Sequence, residues 1–101
     1  MRYRLTEAAE QDIREIITHI RIVQKSPQNA RLVAARLKAQ FAKLVQWPGL
    51  GHVREELDDA KALVIAVSGV LVIYDPTLRP LTILRVIHGA RDLTHISSRK
   101  N

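Results

Sequence analysis

The chain has 101 residues, 47% of them hydrophobic and 26% charged, with a formal charge of +6 from sixteen Lys and Arg against ten Asp and Glu. That length fits one domain over residues 1–101, and the apolar content is enough to offset the entropy of ordering, so wholesale disorder is excluded. The absence of cysteine excludes disulfides, thiolate zinc sites and a cysteine nucleophile together and fits a reducing, cytoplasmic setting.

Met1 to Leu5 alternates charged and apolar residues, which predicts a short strand and carries no signal-peptide run, so export is not expected. Thr6 is placed to cap a helix, with Glu7 and Glu10 near its positive end. Ala9, Ile13, Ile16, Ile17 and Ile20 fall at the spacing of one helix face. Ser26-Pro27 marks a second helix start, with serine as cap and proline at the first helical position. Ala30, Val33, Ala34, Leu37, Phe41 and Leu44 continue as a second apolar face, flanked by Arg31 and Lys38 on one side and by Arg36 and Lys43 on the other. The two helices, joined by about six residues around Val23 to Ser26, form a helical hairpin.

Trp47-Pro48-Gly49-Leu50-Gly51 stops the second helix, because proline cannot continue it. Arg54 to Leu57 reads as a short strand. Ala62 to Val67 and Val70 to Tyr74 are apolar, β-branched runs separated by Ser68-Gly69, the two-residue loop of an antiparallel hairpin. After the turn Asp75 to Pro80, Leu81 to Ile87 makes a further strand, with Ile83, Arg85 and Ile87 on one face and Leu84, Val86 and His88 on the other by strict alternation. The predicted fold is α+β: an N-terminal strand, then a helical hairpin packed on a three- to four-stranded, mainly antiparallel sheet. No stretch approaches the ~20 apolar residues of a membrane span.

The charge is uneven along this frame. Residues 1–20 hold three basic and four acidic groups, residues 21–53 hold six basic and none acidic, and residues 54–60 hold one basic against four acidic. A one-sign block such as 21–53 steers anionic partners, or else is a solvated helix face. Metal chemistry finds no support, since His19, His52, His88 and His95 have no ligand spacing. No phosphate loop is present either, and no cofactor is expected. Arg85, inside an apolar strand, must face open surface or meet a carboxylate such as Glu55, Glu56 or Asp92. His88 is placed either as a general acid or base or as a strand-end hydrogen-bonding group. Arg54 and Arg91 either clamp a phosphate or tie the sheet to its loops.

Ala9 and Ile16, the proline-glycine loop before Gly51, Arg54-Glu55-Glu56-Leu57, Val72-Ile73-Tyr74 and above all Ile83-Leu84-Arg85-Val86-Ile87-His88-Gly89-Ala90-Arg91-Asp92-Leu93 resemble the ParE branch of the RelE/ParE toxin superfamily of bacterial toxin–antitoxin operons. The resemblance implies a type II toxin held by a cognate ParD-like antitoxin in a hetero-oligomer. In the ParE branch such toxins inhibit DNA gyrase and block replication, whereas RelE-like members cut messenger RNA on the ribosome. Residues 62–99 contain no lysine, and Arg91 is followed by Asp92-Leu93-Thr94, a departure from the RelE pattern that favours the gyrase branch. An RNase would have to draw on His88, Arg85, Arg91 and Glu55. The expected partner-binding residues are Arg31, Arg36, Lys38, Lys43, Arg54, Tyr74, Arg85 and Arg91, with the α-helical cations facing an acidic antitoxin.

Overall fold

A computed structural model describes residues 2–88. Strand β1 (Tyr3–Leu5) leads into helix α1 (Glu7–Thr18), whose N-terminus is capped as the sequence predicts: the Thr6 hydroxyl accepts from the Ala9 amide at 3.0 Å. Helix α1 does not end at Thr18. It widens into one π-helical turn over His19–Val23, which shortens the expected six-residue connection to Gln24, Lys25 and Ser26. Lys25 takes a positive φ of 54° there, and the Ser26 amide reaches back to the Ile20 carbonyl, so the turn closes on backbone groups.

Helix α2 (Pro27–Gln46) starts on the Ser26 cap, whose hydroxyl accepts from the Asn29 amide, and buries Ala30, Val33, Leu37, Phe41 and Leu44. These are five of the six apolar positions spaced for one face, Ala34 being only half-buried, and they sit against the sheet with Tyr3 edge-on to Phe41 at 5.2 Å. Strands β2 (Leu63–Val67), β3 (Val70–Asp75) and β4 (Leu81–His88) complete a four-stranded sheet in the order β1-β4-β3-β2. The β2–β3 and β3–β4 pairs are antiparallel, and β1 adds to β4 in parallel. Ser68 and Gly69 both have positive φ, as a two-residue hairpin with right-twisted strands requires.

Two sequence expectations are corrected. Arg54 to Leu57 is a turn, closed by the Leu57 amide on the Arg54 carbonyl; the neighbouring sheet contact is a single bridge between His52 and Val64. With Glu55, Glu56, Asp58 and Asp59 crowded around one buried residue, Leu57, the segment lacks the alternation and charge balance that a paired strand needs. The face assignment in β4 also fails, because a β-bulge intervenes. Ile73 pairs with Arg85 but Tyr74 pairs with Ile83, so Leu84 is the extra residue. Ile83 and Val86 therefore both join the core under the helices, while Leu84 and Ile87 both join a second cluster with Leu57, Ala62, Val64, Leu71 and Ile73.

Candidate functional site

Strand β1 covers β4 only as far as Ile83, so the outer edge of β4 beyond it needs other partners among the described residues. Helix α1 supplies them. The Thr6 hydroxyl donates to the Leu84 carbonyl at 2.8 Å, and one carboxylate oxygen of Asp12 accepts from the Val86 amide at 2.9 Å. The bulge brings Arg85 to the same carboxylate, with Nε donating to one oxygen at 2.7 Å and Nη2 to the other at 2.8 Å. Asp12 lies three residues after Ala9 and four before Ile16, on the buried face of α1, which is why a carboxylate arrives at this edge. The side chains of Arg85 and Asp12 are only 17% and 10% exposed. The hydrogen bond to Asp12 raises the Arg85 pKa above its ordinary value, outweighing burial, which works in the opposite direction. Arg85 does meet a carboxylate, then, but it is Asp12 on α1 rather than Glu55, Glu56 or Asp92.

His88 is exposed at the end of β4, edge-on to His19 with ring centroids 6.5 Å apart. Both imidazoles line a cleft of about 200 Å³ with Asp12, Glu15 and Ile16 of α1. Glu55 is exposed in its turn and does not line this cleft among the described residues. Arg54 forms an open ion pair with Glu56 at 3.5 Å, of the kind that contributes little to stability. Among the described residues, no group of three or more His, Asp or Glu is placed to hold a metal ion.

The four α2 cations behave differently from Arg85. Arg31, Arg36, Lys38 and Lys43 are all exposed, and none forms an ion pair with a described residue. Tyr74, expected at a partner surface, is fully buried in the free chain. Its hydroxyl donates to the Pro48 carbonyl at 2.7 Å and accepts from the Gly51 amide at 2.8 Å, fixing the loop that follows α2. Gly51 is required at this approach, since a Cβ there would lie 2.7 Å from the Tyr74 oxygen and 3.0 Å from the Val64 carbonyl oxygen. Burial raises the Tyr74 pKa, partly offset by the Gly51 amide. Arg91 and the rest of the motif from Gly89 to Leu93 lie outside the described residues.

Helical hairpin, mixed sheet and a carboxylate–arginine lock define a small α+β domain with four exposed cations and no acidic residue on its second helix. The family model described as the ParE toxin of type II toxin–antitoxin systems, parDE, matches residues 3–93, and the chain belongs to that family. It is thus a toxin of a type II system, a class that implies a cognate antitoxin. Comparison with curated proteins gives no match. No helix of the described residues is long and apolar enough to cross a membrane.

Proposed function

We propose that this toxin arrests growth in the cytoplasm by binding DNA gyrase and holding its cleaved-DNA intermediate, with no chemistry of its own, until a ParD-like antitoxin removes it. The observation that carries the reading is the commitment of Arg85. Cutting RNA through its 2′-hydroxyl needs a base, an acid and a cation free to meet the developing phosphorane charge. Arg85 is held by both oxygens of Asp12, and freeing it would leave a buried carboxylate without its partner. Glu55 stands apart from His88. A target-binding toxin needs neither group in an acid–base constellation.

Purified toxin is expected to inhibit gyrase supercoiling, with inhibition relieved by the antitoxin and retained in His88→Ala. A second reading, ribosome-dependent RNA cleavage, is favoured by the facing His19 and His88 rings, since two imidazoles can serve as base and acid. Mapped cleavage of ribosome-bound mRNA that vanishes in His88→Ala, with gyrase unaffected, overturns the gyrase reading in favour of this one.

For the antitoxin, we infer that an acidic segment runs along the outer face of α2, opposite Arg31, Arg36, Lys38 and Lys43. What supports this is the exposure of all four cations in the free chain, because rim charges of one sign set partner choice and association rate.

A further inference from the structure

A cleft of about 550 Å³ opens where the beginning of β1, the end of α2 and the β3–β4 turn converge; it is lined by Arg2, Val45, Pro48, Arg79, Pro80 and Leu81. Its volume lies within the range of ordinary ligand sites, roughly 300–1,000 Å³. Val45, Pro48, Pro80 and Leu81 give it an apolar wall, and the only charges among its described lining residues are the two arginines. Other clefts on the molecule mix signs with acids in excess: one sets Asp58, Asp59 and Asp75 against Lys61, and another along α1 sets Glu7, Asp12 and Glu15 against Arg14 and Arg85.

Arg79 is already oriented. Its Nη1 donates to the Pro76 carbonyl at 2.8 Å and to the Leu78 carbonyl at 3.1 Å, while Nε and Nη2 make no hydrogen bond to a described residue. A guanidinium held on one side by its own turn loses little freedom when the other side meets a carboxylate. The cleft is also continuous with the basic helix. Val45 stands seven residues after Lys38 and fourteen after Arg31, so the three share one flank of α2, and the stretch from Arg31 to Val45 covers about 21 Å at 1.5 Å per residue. A chain following those cations toward the C-terminus of α2 arrives at Val45 and Pro48.

We propose that this cleft is an anchor site for the antitoxin, taking an apolar side chain flanked by a carboxylate from the acidic segment that has passed along α2. The apolar group fills the space between Val45, Pro48, Pro80 and Leu81, and the carboxylate meets Arg79 and Arg2. The anchor rests on the antitoxin partnership that the family implies, and it does not depend on gyrase being the target.

The test is a titration of full-length toxin with the antitoxin encoded beside it, comparing wild type, Arg2→Glu/Arg79→Glu, the space-filling Val45→Phe, and reversal of the four α2 cations, with thermal melts confirming folding. The expected result is that Arg2→Glu/Arg79→Glu and Val45→Phe each weaken binding about tenfold or more at unchanged melting temperature. Wild-type affinity in both variants overturns the anchor. So does a loss confined to the charge reversal, which would mean diffuse attraction without an occupied cleft. Retained antitoxin affinity with lost gyrase inhibition also overturns it, handing the cleft to the target. If the cleft variants weaken binding and the α2 reversal does not, the anchor stands and the reading of α2 falls.

Discussion

Helices α1 and α2 cover the same sheet with similar apolar stripes, yet they treat charge in opposite ways. Helix α1 carries Glu7, Glu10, Asp12 and Glu15 against Arg14, and it turns one of those carboxylates inward to finish the edge of β4. Helix α2 carries Arg31, Arg36, Lys38 and Lys43 with no acidic residue and turns all four outward. A charge beneath α1 is a structural component, already paired and desolvated. A charge on α2 is unpaired within the described chain, so its favourable interactions are left for a partner.

The contrast is most exposed to failure at Asp12. Asp12→Ala leaves the half-buried Arg85 without its bidentate partner, with only the charge of Glu15 still acting on it, and the Val86 amide without an acceptor, and a loss of about 3 kcal/mol is expected in urea unfolding. Asp12→Asn, which keeps an acceptor for the amide, should lose less. A loss for Asp12→Ala no larger than the ~0.5 kcal/mol of an ordinary surface change would show that the lock is dispensable.

Tyr74 sharpens the comparison at the far end of α2, where the helix meets its loop through neutral groups. Tyr74→Phe strands the Pro48 carbonyl and the Gly51 amide, and a loss of about 1–3 kcal/mol is expected. The hydroxyl has a pKa raised by burial in the fold, so the unfolded chain releases this proton first. The Tyr74 contribution is therefore complete below about pH 10 and is lost as pH rises through the higher folded value. Melting curves taken from about pH 8 to about pH 11 should show an alkaline decline that is shallower in Tyr74→Phe; an identical decline in both proteins would remove Tyr74 as its source.

The smallest expected change in stability per substituted residue comes from reversing Arg31, Arg36, Lys38 and Lys43 together, within about 0.5 kcal/mol for each position by chemical denaturation. The same variant should lose antitoxin affinity by about 100-fold or more in a binding titration. A protein that unfolds on this reversal would erase the distinction between the helices.

Local rules made much of this fold legible. Thr6 and Ser26 cap their helices as their positions before the periodic segments imply, five of the six apolar positions of α2 are buried against the sheet, and Ser68-Gly69 makes the hairpin. What was missed is non-local or ambiguous in pattern. Asp12 and Arg85 stand 73 residues apart, and the signal available was a matched pair of anomalies, an acid on a helix's apolar face and a base within an apolar strand. The bulge left no such trace, because Ile83, Leu84, Val86 and Ile87 are all apolar and suit either side of a sheet buried on both. Tyr74 counts among the expected partner-binding residues, whereas its hydroxyl meets its hydrogen-bonding needs inside the chain. The basic face of α2 was readable from charge and periodicity alone; the cleft at its end draws on three separate stretches of chain and could emerge only from the fold.

The extra residue at Leu84 makes β4 two short strands of opposite parity spliced together. Before the splice odd-numbered side chains look toward the helices, as Leu81 and Ile83 do; after it even-numbered ones do, as Val86 does. The strand therefore has a reading frame. Deleting or adding one residue between Ile83 and Val86 would not merely shorten or lengthen β4 but exchange the two sides for everything downstream, sending Ile87 under the helices and carrying His88 away from His19. Asp12 would lose its contacts to both Arg85 and Val86 in the same step, so the length of this stretch is fixed by both faces of the sheet at once.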